Sequence, residues 1–216
     1  MTAPMTTERD ACGVGFVADA EGRASRDIVE TAVRSLCRVK HRGAVAADSL
    51  SGDGAGMLFP LPRRFLRRET HALGIAGVEI DRLGVATVFD FDHTNPSEIR
   101  RIIGTACRSE GIDLLGWRDV PVYPQALGPG ARRSMPRILQ GFLQHHDDLS
   151  REEADRRAFR ARKRAERTVA SEGRRLYFPS LGFTTLVYKA LVAADQLGEF
   201  YPDLSDPLIE APFVVF

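Results

Sequence analysis

Cys12 stands between an eleven-residue polar opening, MTAPMTTERDA, and a run of small apolar residues, Gly13-Val-Gly-Phe-Val-Ala18. A cysteine in an apolar strand is more commonly a small core hydrophobe than a nucleophile. Its place at this junction raises the chemical reading. If the Ala11–Cys12 bond were cut, Cys12 would carry a free α-amino group with a pKa of roughly 7.7–8.0. An amine partly neutral at physiological pH can act as general base for the thiol of its own residue. The chemistry on offer is that of an activated thiol nucleophile.

Other residues with reactive side chains read more plainly. His41-Arg42-Gly43 fits a helix C-cap, with basic residues near the carbonyl end and glycine taking positive φ. Gly52-Asp-Gly-Ala-Gly56 lacks the Gly-Lys-Ser/Thr ending of a phosphate loop, and no GxGxxG follows Gly13-Val-Gly15. It reads as a tight turn, and Asp53-Gly54 suits a hairpin. Asp90-Phe-Asp92-His93 and His145-His-Asp-Asp148 lack metal-ligand spacing and read as solvated loops. Cys37 and Cys107 fall on predicted helices beside apolar neighbours and read as buried core thiols.

The elements that must position these residues follow from periodicity. Cys12–Ala18 predicts a buried first strand. Ser25 caps a helix ending near Lys40, with Ile28, Val29, Ala32, Val33 and Leu36 on one face. Strands are predicted at 57–60, 83–91, 112–122 and 136–143, and a helix from Asn95-Pro96-Ser97 to about Arg108. Ser150-Arg-Glu-Glu153 has a capping-box pattern and opens a charged helix to about Ala170. Residues 176–188 predict a hairpin broken at Gly182, and 189–197 a helix. The apolar run Pro212–Phe216 predicts a strand without neighbours, as though one domain were cut at its C-terminal side.

Composition bounds the rest. The chain has 216 residues, 44% hydrophobic and 27% charged, with a net charge of +1. That is ordinary globular composition, with no global field to recruit nucleic acid or an anionic membrane. No apolar stretch approaches the ~20 residues of a membrane span, and the first ten residues are not a secretory signal. Three cysteines without a CxxC exclude a disulfide framework and fit a cytoplasmic protein. Residues 151–175 hold ten basic against five acidic side chains. Without interleaved aromatics they read as a solvated helix face, or secondarily as a docking surface for a partner domain.

An ordered series of segments resembles one family. Glu8-Arg-Asp-Ala-Cys-Gly-Val-Gly-Phe-Val-Ala18, His41-Arg-Gly-Ala44, Ala47-Asp48 and Ser51–Gly56 are similar to the amino-terminal class II glutamine amidotransferase domain of glutamate synthase large subunits. Gly84-Val85, Val88-Phe89, Gly116-Trp-Arg-Asp-Val-Pro121, Tyr188-Lys189, Gln196-Leu197 and Phe200-Tyr-Pro-Asp-Leu204 continue the likeness in order. Gly182-Phe183-Thr184 departs from it, standing where the family usually has Ser-Ser-Arg.

The resemblance implies an α+β fold, a partial four-layer αββα sandwich of the N-terminal-nucleophile hydrolase type. It implies a leader at 1–11, removed to free the amine, and an amidotransferase domain over 12–216. It implies Cys12 as catalytic nucleophile, with Arg42 and Gly43 as supporting site residues. Glutamine would be hydrolysed to glutamate and ammonia for transfer to 2-oxoglutarate. No cofactor or metal is expected in this segment; FMN and an iron–sulfur cluster would belong to downstream synthase domains. A reductase subunit or ferredoxin would be a partner. The substrate-clamping arginine and the oxyanion-hole Asn-Gly of the family would come after Phe216, so these residues alone should be a poor enzyme. Two other classes stay open: a non-catalytic amidotransferase-like binding or regulatory domain, and a Cys12 thiol redox protein.

Overall fold

The computed structural model describes residues 13–40 and 52–216. In chain order the elements are Phe16–Ala18 (β1), Arg26–Arg38 (α1), Ala55–Pro60 (β2), Arg63–Ala72 (α2), Leu83–Asp90 (β3), Pro96–Arg108 (α3) and Ile112–Asp119 (β4). There follow Pro129–Arg133 (α4), Arg137–His145 (β5), Arg151–Ser171 (α5), Leu176–Gly182 (β6), Thr185–Ala190 (β7), Leu197–Phe200 (α6) and Phe213–Val215 (β8). The fold is α+β, with two antiparallel sheets and helices. Sheet one has the order β1-β8-β2-β7 and sheet two β4-β5-β3-β6.

Local chemistry explains the long helices. Ser25 Oγ accepts from Ile28 N and Ser150 Oγ from Glu153 N at the starts of α1 and α5. Asn95 Oδ1 accepts from Ser97 N, and Pro96 takes the first turn of α3, where its missing N–H is no loss. Only half of the expected capping box at α5 forms, because the Glu153 carboxylate is taken by Arg156 and Arg157. The buried face of α5 is a stripe of Ala154, Ala158, Ala161, Ala165 and Val169. Small side chains let this charged helix lie close on its neighbours.

Sheet two is covered on both faces, which is why all eight residues of β3 are buried. Ala86 and Val88 pack with Ile99, Ile103 and Phe178 beneath α3 and α5. Leu83, Val85 and Phe89 face the other way, into a core shared with Met57, Phe59, Leu186 and Tyr188 of sheet one.

Several expectations are corrected. β6 and β7 do not form a hairpin: β6 pairs with β3 and β7 with β2, so the chain crosses between sheets at Phe183-Thr184. The crossover is held by Asp155 Oδ1, which accepts from Phe183 N at 2.6 Å. A Cβ on Gly182 would come within 2.7 Å of that same oxygen, so the departure at 182–184 has a packing role. Asp53-Gly54 does not close a hairpin either, since both flanks of β2 pair with the later strands β7 and β8. Helix is absent at 189–192; β7 runs to Ala190, followed by a single 3-10 turn at Ala194–Gln196 before α6. β1 is an edge strand rather than a buried one, with Phe16 75% exposed. β8 is not without neighbours, because it lies between β1 and β2.

Two helices were not expected, α2 and the short α4. α2 begins after Pro62 without a side-chain cap and buries only Phe65, Leu66 and Thr70. Its Arg63 guanidinium instead donates to the carbonyls of Ile80, Leu83 and Phe183, tying the helix to β3 and to the crossover.

Candidate active site

A cleft of about 670 Å³ opens where the start of β1, the end of α1, the start of β2 and the outer end of β7 meet. Gly13 and Val14 form one lip and Asp53, Gly54 and Gly56 another, with Lys189 and Ala190 behind them. Phe216 continues the β1–β8 ladder, donating to and accepting from Gly15 at 2.8 and 2.7 Å. Its ring lies over Gly15, where a Cβ would come within 2.6 Å.

Glycine is required at the other lip as well. Gly54 has φ +122°, a backbone region closed to most side chains, and a Cβ on Gly56 would come within 2.9 Å of Lys189 Cβ. Residues 53–56 thus line the cleft as the run-in to β2.

Charges frame the cleft without filling it. Lys40 Nζ pairs with Asp195 Oδ2 at 2.7 Å, linking the end of α1 to the Ala194–Gln196 turn. Lys189 Nζ donates to Tyr177 OH at 3.2 Å and lies 4.9 Å from the centre of that ring. A second cavity of about 330 Å³, walled by Phe89, Ile138, Met135 and Phe200, shares Asp53, Gly54, Lys189 and Ala190 with the first. The wall between the two is therefore one strand end thick.

Cys12, His41, Arg42 and Gly43 lie outside the described residues. Gly13 and Val14, which line the cleft, are the residues immediately after Cys12. The other two thiols can be placed. Cys107 is fully buried, and burial pushes its pKa up to about 12. Cys37 is half-buried rather than buried, and its pKa is also raised by burial. Neither has the lowered pKa of a reactive thiol.

The two His/Asp clusters are not wholly solvated loops, since Asp90 and His145 are buried ends of β3 and β5. Arg137 engages the Asp90 carboxylate, and Arg175 engages Asp92. Among the described residues no group of three His, Cys, Asp or Glu side chains converges as a metal site would need. The basic stretch at 151–175 is largely neutralised within the chain: Arg156 and Arg157 pair with Glu153, Arg160 and Arg164 with Glu110, and Arg162 with Glu166. That supports a solvated helix face. No described helix is long and apolar enough to cross a membrane.

The motifs at Gly116–Pro121, Tyr188-Lys189 and Phe200–Leu204 were visible only as a resemblance, with no role attached. The structure brings them together. Arg118, Tyr188 and Asp203 meet in the core behind the cleft, where Arg118 and Tyr188 both donate to the Asp203 carboxylate. A charged residue within a half-apolar strand was the available signal for Arg118.

Residues 12–216 match the class-II glutamine amidotransferases. The chain is 37% identical over 213 residues to a ferredoxin-dependent glutamate synthase 2, chloroplastic, of Arabidopsis thaliana, covering 97% of this chain and 13% of that protein. It is 36% identical over 210 residues to the glutamate synthase [NADPH] large chain of Bacillus subtilis, covering 96% and 14%. A ferredoxin-dependent glutamate synthase 2 of Synechocystis is 36% identical over 213 residues, covering 98% and 14%. The chain thus spans about one-seventh of the length of these relatives. A match that begins at Cys12, one residue before the lip of the cleft, and runs through β8 places this chain in the class-II glutamine amidotransferase family.

Proposed function

We propose that this chain performs the glutamine-hydrolysing half-reaction of a glutamate synthase, with Cys12 as nucleophile. The observation that carries the reading is the cleft whose lip starts at Gly13, directly after the cysteine at which the family match begins. Removal of residues 1–11 would free the Cys12 amine. That amine accepts the thiol proton, and the sulfur attacks the side-chain amide carbon of glutamine. Collapse of the adduct breaks the C–N bond, the proton passes to the leaving nitrogen, and ammonia departs. Water then cleaves the glutamyl thioester, giving glutamate and restoring the thiol. Arg42 and Gly43 would support the site from the segment after α1. In this reading residues 12–216 form the amidotransferase domain, part of a four-layer αββα sandwich of the N-terminal-nucleophile type, acting in the cytoplasm.

The wider activity follows from the relatives' names and from the resemblance. Ammonia would pass to 2-oxoglutarate, and ferredoxin or an NADPH-linked reductase subunit would supply electrons. FMN and an iron–sulfur cluster would serve that step elsewhere in the natural protein. Among the described residues no group of three His, Cys, Asp or Glu side chains could hold a cluster.

Intact-mass analysis of the natural full-length polypeptide tests the amine base. The account expects a protein beginning at Cys12 that releases ammonia from glutamine. Glutamine hydrolysis by a protein that keeps Met1–Ala11 would contradict it. Retention of the leader with no hydrolysis would favour a non-catalytic binding domain.

A further inference from the structure

One row of side chains across the inner face of sheet two is polar from edge to edge. Arg118, Gln140, Thr87 and Ser180 are direct cross-strand partners on β4, β5, β3 and β6, and all four are buried. The rows on either side are apolar, with Val85 and Phe142 on one and Phe89 and Ile138 on the other. Polar groups in mid-core are unfavourable unless they find partners. Here most partners lie across the sandwich, and Gln140 Nε2 is left without one.

Arg118 donates to Gln140 Oε1 at 2.7 and 2.9 Å, to Glu69 Oε2 on α2 at 3.0 Å, and to the Asp203 carboxylate. From sheet one, Tyr188 OH donates to Asp203 Oδ2 at 2.7 Å. Ser180 Oγ accepts from Val187 N at 3.3 Å, and Tyr201 OH donates to the Lys189 carbonyl at 2.8 Å. The Tyr201 ring also stands edge-on to Tyr188, with centres 5.0 Å apart. Three consecutive residues of β7 are therefore held by partners outside their own sheet, Tyr188 by its buried side chain and Val187 and Lys189 by their backbone. Val187 and Lys189 are also part of the cleft wall, and β2 follows them through its ladder, Met57 opposite Tyr188 and Gly56 opposite Lys189.

We propose that this buried network is the positioning device of the candidate active site, fixing residues 187–189 of β7 and, through them, the glycine lip of β2. The proposal rests on the reading of the cleft as a glutamine site. Arg118, Tyr188, Tyr201 and Asp203 are positioning residues that act through the strand. An apolar core would hold the two sheets together equally well, since buried ion pairs are weak contributors to stability. Directional hydrogen bonds add a single setting for one sheet over the other. Burial, and then the Asp203 carboxylate, push the Tyr188 phenol well above its usual pKa, so it remains a donor.

Tyr188→Phe and Tyr201→Phe each delete one hydroxyl and keep the ring, which makes them the informative variants. Both are made in the natural full-length polypeptide, with Arg164→Gln on the far surface as control. Amide exchange should rise locally, by about tenfold, at residues 187–190 and 56–58 while α3 and α5 keep their protection. Glutamine turnover per nucleophile titrated with 6-diazo-5-oxo-norleucine should fall by about tenfold or more, as small misplacements do. Arg118→Lys keeps the charge but loses the planar fork, and should behave like the two phenylalanine variants. A purely structural role would lower the number of titratable sites, leave turnover per site unchanged and raise exchange everywhere; that pattern overturns the proposal, as does unchanged local exchange. If the unmodified protein turns over no glutamine, the glutamine reading fails, while a local rise in exchange would still uphold the positioning role.

Discussion

At the scale of single residues, burial withdraws both described thiols, Cys37 and Cys107, from nucleophilic chemistry. Cys107 is 0% exposed, and burial pushes its pKa up to about 12, which strongly disfavours its thiolate near neutral pH. Cys37 is also shifted upward, by burial. The glutamine analogue 6-diazo-5-oxo-norleucine should therefore alkylate Cys12 in the natural full-length protein and leave both others unmodified. Peptide mapping reads this directly, and labelling of Cys107 in folded protein would contradict the assignment. Cys12 is singled out by its junction and by the ordered motifs around it, and it lies outside the described residues. The positions of Arg118 and Asp203 were not, because their 85-residue separation is closed only by sheet stacking, which no local pattern encodes.

At the scale of elements, what was legible is what local chemistry decides. Ser25, Asn95 and Ser150 each mark a helix start, and their side chains accept the expected backbone N–H. β3 was equally plain from its unbroken apolar run. α2 was hidden because its start has no side-chain cap and its arginines mask a short apolar face. The allocation of β6 and β7 to different sheets was hidden for another reason: a glycine between two strands reads the same whether the chain folds back or crosses over. Arg63 is central to that crossover. Arg63→Met would keep much of the aliphatic packing but strip three carbonyls of a donor, and should lower stability by about 1–3 kcal/mol. Urea unfolding measures it. A variant as stable as the parent would show that water replaces the guanidinium without loss.

At the scale of the whole molecule, surface ion pairs within α5 and between separate segments contribute stability that acid should remove. Hydrogen bonds from Arg156 and then Arg157 hold the Glu153 carboxyl down at about 2, below its usual 4.5. Arg174 lowers Glu98 and Arg175 lowers Asp92 in the same way. Groups with depressed folded values contribute stability that is present above their unfolded values and lost as pH falls through the folded ones. Thermal midpoints should therefore fall between about pH 4.5 and pH 2, less steeply in Glu153→Gln and less steeply at high salt. An unchanged slope in that variant would show the pairs to be energetically idle. The thiol chemistry itself is read by rapid-quench mass spectrometry of the natural full-length protein during glutamine turnover. The account predicts a transient glutamyl thioester on the peptide that begins at Cys12, and neither adduct nor ammonia from Cys12→Ala. Glutamine hydrolysis that persists in Cys12→Ala, or an adduct on any other residue, would contradict it.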